Sequence, residues 1–170
     1  SLQVWEMSTA RLYLIQSGDE MMVDSNKKML DPMEIIKIAA KNTKTDRSYD
    51  EVVNMLKVEL TLKDVWKTRE GNTLFIVHKS TEHPRYGYFR ALNADTARNY
   101  LENSKDFADI AYDEGFDVLV TQFDDPSILH IFKMISKKPI RPKMGFKAQK
   151  TKGGGYQVTL VLGPKRGGFK

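Results

Sequence analysis

Residues 86–123, YGYFRALNADTARNYLENSKDFADIAYDEGFDVLVTQF, change from a period of two to a helical period and back to an apolar run. The opening YGYFRAL, residues 86–92, reads as a strand with Tyr86, Tyr88, Arg90 and Leu92 on one side. Tyr100, Leu101, Ser104, Phe107, Ala108 and Ala111 then recur at helical spacing, and Gly115 suits the residue just past a helix end. Asp95 stands where an N-cap is expected. FDVLVTQF, residues 116–123, reads as a central strand buried on both faces. A strand, a helix and a strand in this order imply parallel strands joined by a right-handed crossover.

Upstream, RLYLIQ at 11–16 is an apolar run suited to a strand. Asp31 and Pro32 form a good helix start, because the N–H that proline lacks is unpaired at that position anyway. Ser48 and Glu51 have capping-box spacing, and Val52, Val53, Leu56 and Leu60 then stripe one face of a second helix. DVWKTRE and TLFIVHKS flank Gly71-Asn72 as a hairpin. Downstream, SILHIFKMISKK reads as a helix ended by Pro139. MGFKAQKTK, three glycines and YQVTLVLG then make a second hairpin over 144–163, with Tyr156, Val158, Leu160 and Leu162 alternating.

The order is therefore strand, helix, helix, three strands, helix, strand, helix and two strands. The fold class is α/β of the α+β kind, with a mixed, mostly antiparallel sheet. A length of 170 residues fits one domain spanning 1–170, with 1–10 and 164–170 expected as flexible ends. Met7 reads as a natural start behind a leader, and the first residues lack the basic-then-apolar layout of a signal peptide. No apolar run approaches the ~18 residues of a membrane span. There is no cysteine, hence no disulfide, thiolate metal site or thiol nucleophile.

Charge is unevenly distributed. All 22 acidic residues precede position 126, whereas 126–170 hold 11 basic residues and no acidic one. Lys137, Lys138, Arg141, Lys143, Lys147, Lys150 and Lys152, with Phe146 among them, form a candidate nucleic-acid contact. The alternation and apolar content of 144–163 argue against a disordered basic tail. His78, His83 and His130 fall on a strand, a loop and a helix without partners at zinc spacing, so no metal site is expected. Asp106, Asp109, Asp113 and Glu114 read as a solvated acidic helix face.

This order of elements, together with HIFKMI followed by Met144, Gly145 and Phe146, resembles the GNAT family of N-acetyltransferases over nearly the whole chain. The resemblance implies that acetyl-CoA would lie at the start of the helix after residue 96, its pyrophosphate on a glycine-rich loop and its pantetheine arm where two parallel strands splay. By position it implies cofactor contacts at Ala91, Leu92, Asn93, Thr96 and Arg98. This chain departs from the family there: RALNADTARNY, residues 90–100, has no glycine, and Asp95 brings negative charge. Phe132 occupies the place of the family's tyrosine acid and has no proton to give, so no catalytic residue is assigned. Asp124 stands where the family often has asparagine, and can equally serve as a helix cap. The run SKKPIRPK looks like an insertion before Gly-Phe.

Small internal virion proteins of short-tailed bacteriophages are similar in outline, keeping such a fold without the glycine loop. The expectation is a GNAT-like protein that has lost acetyl-CoA chemistry, needs no cofactor and acts by binding or assembly with a protein partner. Its expected location is the cytoplasm, or the virion if phage-encoded, with no membrane contact. The alternative is an acyl-CoA-dependent N-acyltransferase with a divergent cofactor loop, which would use acetyl-CoA.

Overall fold

The computed structural model describes residues 28–137 and 144–164. The expected strand at 11–16 and the ends 1–10 and 165–170 lie outside the described residues, as does most of SKKPIRPK. Among the described residues four helices and six strands follow one another: α1 (Pro32–Asn42), α2 (Tyr49–Thr61), β1 (Val65–Glu70), β2 (Thr73–Lys79), β3 (Tyr86–Asn93), α3 (Ala97–Glu114), β4 (Val118–Phe123), α4 (Pro126–Lys137), β5 (Gly145–Lys150) and β6 (Tyr156–Val161). The strands form one sheet in the order β1-β2-β3-β4-β6-β5. β3 and β4 pair parallel; β4 with β6 and β5 with β6 are antiparallel. This is the mixed, mostly antiparallel sheet expected of the sequence.

The described chain divides into two compact units, with boundaries inside β2, after Ile76, and inside β3, after Arg90. The first unit holds α1, α2, β1 and residues 91–100. Pro32 occupies the first turn of α1, as expected, while the Asp31 side chain makes no cap bond. Ser48 caps α2, its hydroxyl accepting from the Glu51 N–H at 3.2 Å. The predicted stripe Val52, Val53, Leu56 and Leu60 is buried with Ile35, Ile36, Leu74, Ile76 and Leu92 in one apolar cluster.

The second unit holds the other halves of β2 and β3, most of α3, and β4 to β6 with α4. Helix α3 ends in a Schellman motif: the Phe116 N–H donates to Ala111 O at 3.0 Å and the Gly115 N–H to Tyr112 O at 3.1 Å. Gly115 has φ +121°, a conformation that only glycine adopts without strain. The hairpin read at 144–163 is present, and its second strand, β6, lies inside the sheet rather than at its edge. Leu162 is buried, and its N–H donates to Asp117 O at 2.9 Å. Pro164, expected in the flexible end, accepts a hydrogen bond from the Tyr112 hydroxyl at 3.1 Å.

One expectation fails in β4. It is central in the sheet, yet only Leu119 is fully buried; Val118, Val120, Thr121 and Phe123 are half-buried and Gln122 is exposed. The reason is that α3 and α4 cover the same face. Phe107 of α3 meets Phe89, and Phe132 of α4 meets Phe89, Phe123 and Phe146, all on the side of Leu119. On the opposite side Tyr86, Tyr88 and Val161 are exposed.

Gly87 shows how closely β3 is packed on the covered side. A Cβ there would stand 2.6 Å from Val77 Cγ1 and 3.2 Å from both His78 O and Phe116 Cε1. Gly87→Ala is expected to cost about 1–3 kcal/mol of stability, the usual penalty of overpacking. Urea denaturation checks this; an unchanged midpoint would mean that the neighbours yield freely.

Candidate functional site

The five positions assigned by resemblance, Ala91, Leu92, Asn93, Thr96 and Arg98, all lie in the first unit. The Leu92 side chain is 3% exposed and belongs to the apolar cluster with Leu74 and Ile76. Ala91 and Asn93 are half-buried; Thr96 and Arg98 are exposed.

The loop between β3 and α3 is held by side-chain hydrogen bonds. Asn93 Oδ1 accepts from the Thr73 hydroxyl at 2.9 Å and from the Asp95 N–H at 3.0 Å, while Asn93 Nδ2 donates to Asp95 O at 3.1 Å. The Asp95 carboxylate turns away from α3 and accepts from the Asn72 N–H at 2.8 Å. The Ala94 N–H donates to Asn72 O at 3.0 Å. Asp95 is thus not the N-cap that the sequence suggests. Thr96 is, its hydroxyl accepting from the Asn99 N–H at 3.3 Å and its carbonyl from the Tyr100 N–H at 2.8 Å. The stronger capper is displaced because the hairpin turn offers its carboxylate a better-placed donor.

Asn72 organises this region and was not singled out from the sequence beyond its place in a turn. Its side chain accepts from the Leu30 N–H and from Arg69 Nη2, both at 2.9 Å, and donates to Lys28 O at 2.9 Å. Arg69, 1% exposed, also donates from Nη2 to Leu30 O at 2.7 Å and from Nε to Gly71 O at 2.9 Å. The partners lie up to 44 residues away in sequence, so no local pattern announces them. In α3, burial pushes the Tyr100 hydroxyl up to about 12, so it keeps its proton at neutral pH.

In the second unit, the parallel pairing of β3 with β4 is short. Tyr86, Gly87 and Tyr88 pair with Val118, Leu119 and Val120, and no further pair follows. Phe132 stands beyond that point, its ring 6.3 Å from Phe89 and stacked 5.9 Å from Phe123. It is 7% exposed and packs among these rings. Asp125, not Asp124, caps α4, accepting from the Ser127 N–H at 2.9 Å. Asp124 is exposed beside the close approach of Gly155.

The basic run is divided by the sheet. Lys147 and Lys150 are exposed but fall on opposite faces of β5 by strand alternation. Lys137 and Lys152 are also exposed; Lys138, Arg141 and Lys143 lie outside the described residues. Phe146 packs 6.4 Å from Phe132 and is half-buried. The His83 ring lies tilted against Tyr86, 4.9 Å between ring centres. No cluster of three potential metal ligands, and no helix long and apolar enough to cross a membrane, occurs among the described residues.

No protein-family model matches this sequence, and no curated protein matches it either. Solved structures do. The ribosomal-protein-S18-alanine N-acetyltransferase from Escherichia coli superposes with a TM-score of 0.51 at 10% identity, covering 84% of this chain and 97% of its own. A chimera of spermidine N-acetyltransferase SpeG from Vibrio cholerae with hSSAT gives a TM-score of 0.51 at 11% identity, covering 79% and 93%. A putative acetyltransferase from Salmonella typhimurium, solved with its cofactor acetyl-CoA, gives 0.49 at 14% identity, covering 79% and 92%. Identities this low speak for fold alone, and together with the strand order they establish that this chain has the GNAT fold.

Proposed function

We propose that this GNAT-fold chain has lost acetyl-CoA chemistry and acts by binding or assembly. The supporting observation is the closed loop between β3 and α3. A pyrophosphate at such a place needs free backbone N–H groups and a glycine-lined approach. Here the N–H groups of Ala94, Asp95 and Asn99 already donate to protein oxygens, and Asp95 adds a negative charge. Phe132, without an acidic proton, adds to this reading. An assembly role agrees with the outline similarity to internal virion proteins. The second reading, an acyl-CoA-dependent N-acyltransferase, is favoured by one observation. The pairing of β3 and β4 stops after three residues, as splayed strands beside a pantetheine arm would require.

Calorimetry with acetyl-CoA decides between them. The expected result is no binding tighter than millimolar, about −4 kcal/mol on the affinity scale, and no acetyl transfer to amines. Micromolar affinity would overturn this reading and promote the acyltransferase. Replacing Asn93 and Asp95 by glycine removes two braces of the loop, so it is expected to lower stability rather than create a cofactor site.

A further inference from the structure

Helix α2 carries apolar residues on two sides. Val52, Val53, Leu56 and Leu60 are buried in the apolar cluster of the first unit, whereas Met55 is 47%, Val58 60% and Leu62 43% exposed. These three stand at i, i+3 and i+7, and Glu51, one turn before Met55, extends the row to spacings of four, three and four. At about 100° per residue, the row falls in a stripe about 60° wide, turned away from Leu56 and Leu60. Single exposed apolar side chains are ordinary. A narrow row recurring about every 3.5 residues is instead the seam by which one helix packs along another.

The charges at the two ends of the row select the partner and its direction. Glu51 lies in the row at the N-terminal end, where it accepts from the Ser48 hydroxyl at 3.2 Å, with Asp50 beside it. Lys63 follows Leu62, the C-cap residue, at the other end; Asp50, Glu51 and Lys63 are all exposed. Two parallel copies would set Glu51 against Glu51. Two antiparallel copies related by a two-fold axis set Met55 against Val58, and Glu51 against Leu62 and Lys63, at both ends alike. Antiparallel alignment also brings opposite ends of the helix dipoles together. Asp64, also exposed, comes after the helix end and outside the row.

We propose that a second copy of this chain packs its α2 antiparallel along Met55, Val58 and Leu62, with Glu51 of each copy meeting Lys63 of the other. The row is about 16 Å long, too short for the ~800 Å² per partner of a standard interface. The pair is therefore weak by itself and suits copies already concentrated in an assembly. The proposal rests on the binding or assembly role above and names its partner, yet the two fail separately: acetyl-CoA calorimetry tests the cofactor loop, and self-association tests this helix.

The experiment is sedimentation equilibrium of the full chain over about 10–500 µM, bracketing the ~100 µM dissociation constant expected of a contact below standard size. Val58→Asp, which places an unpaired charge in the seam, should weaken association about tenfold or more. Lys63→Glu should weaken it about 2- to 30-fold, the range for two exposed ion pairs per dimer. Adding Glu51→Lys to Lys63→Glu should restore it. The chain has no cysteine, so Met55→Cys and Val58→Cys each carry a single thiol. Mixed and oxidised, these two proteins should cross-link to each other more than either does to itself. Met55, Val58 and Lys63 are exposed, so their variants are expected to fold, which a thermal melt verifies. The proposal is overturned by a chain that stays monomeric throughout the range, or by association that Val58→Asp leaves unchanged. It is also overturned if each cysteine variant cross-links chiefly to itself, which marks a parallel pair. A lowered melting temperature of Val58→Asp in a chain that stays monomeric would overturn it too, since the chain's own residues would then cover the row.

Discussion

Ending the chain at Lys143 should abolish cooperative unfolding. The lost hairpin contains β6, which pairs over six residues with β4 on one side and six with β5 on the other. Its removal strips β4 of a neighbour in the middle of the sheet and exposes a row of unpaired backbone groups. It also removes Met144, Val158, Leu160 and Leu162, all under 9% exposed, and the half-buried Phe146 and Tyr156. Each buried apolar side chain of this size is worth about 1.5–3 kcal/mol, so the four together rival the about 5–15 kcal/mol that stabilises a whole domain. Far-UV circular dichroism through a thermal ramp should show a gradual, featureless change. Because the truncated chain is also expected to aggregate, Leu160→Ala in the full chain is the companion variant, with an expected loss of about 2–5 kcal/mol. A truncated protein that melts sharply near the temperature of the full chain would show that the hairpin is an appendage.

Replacing Arg69 by methionine should remove about 3 kcal/mol or more of stability. The guanidinium is buried, and its hydrogen bonds tie Leu30, Gly71 and Asn72 together. Hydrogen bonds from a charged donor contribute about 1.5–3 kcal/mol each, and the acceptors left behind would be buried without their donor. Arg69→Lys should recover little of this, since one ammonium cannot reproduce a planar fork reaching three oxygens. Chemical denaturation measures both variants. A methionine variant within about 1 kcal/mol of the parent, the worth of one ordinary hydrogen bond, would show that the arginine costs as much to bury as it contributes.

The loop after β3 illustrates why the candidate site was only partly legible. Its lack of glycine and its aspartate were visible in the sequence, and both count against a pyrophosphate. What closes the loop was not visible. Asp95 reaches Asn72 across 23 residues, and Asn93 reaches Thr73 across 20. Capping preference is local, so it named Asp95, whereas the hairpin turn supplied a competing donor and left Thr96 to cap α3. Leu92 was assigned by position alone; that its side chain joins Leu74 and Ile76 in the apolar cluster depends on packing between distant segments.

The sequence by itself determined the elements, because periodicity, caps and turn residues act within a few positions. The stripe Val52, Val53, Leu56 and Leu60, the Ser48 cap, Gly115 and the alternation from Tyr156 to Leu162 were each sufficient for their own segment. Only the tertiary structure decided that β6 lies between β4 and β5, and that α3 and α4 share one face of the sheet. That choice leaves Tyr86 and Tyr88 exposed and Val118 and Val120 only half-buried, although the run at 116–123 is apolar enough for burial on both sides. An apolar run states that a strand can be buried; which of its faces receives a helix depends on where distant segments pack, and no local pattern encodes that.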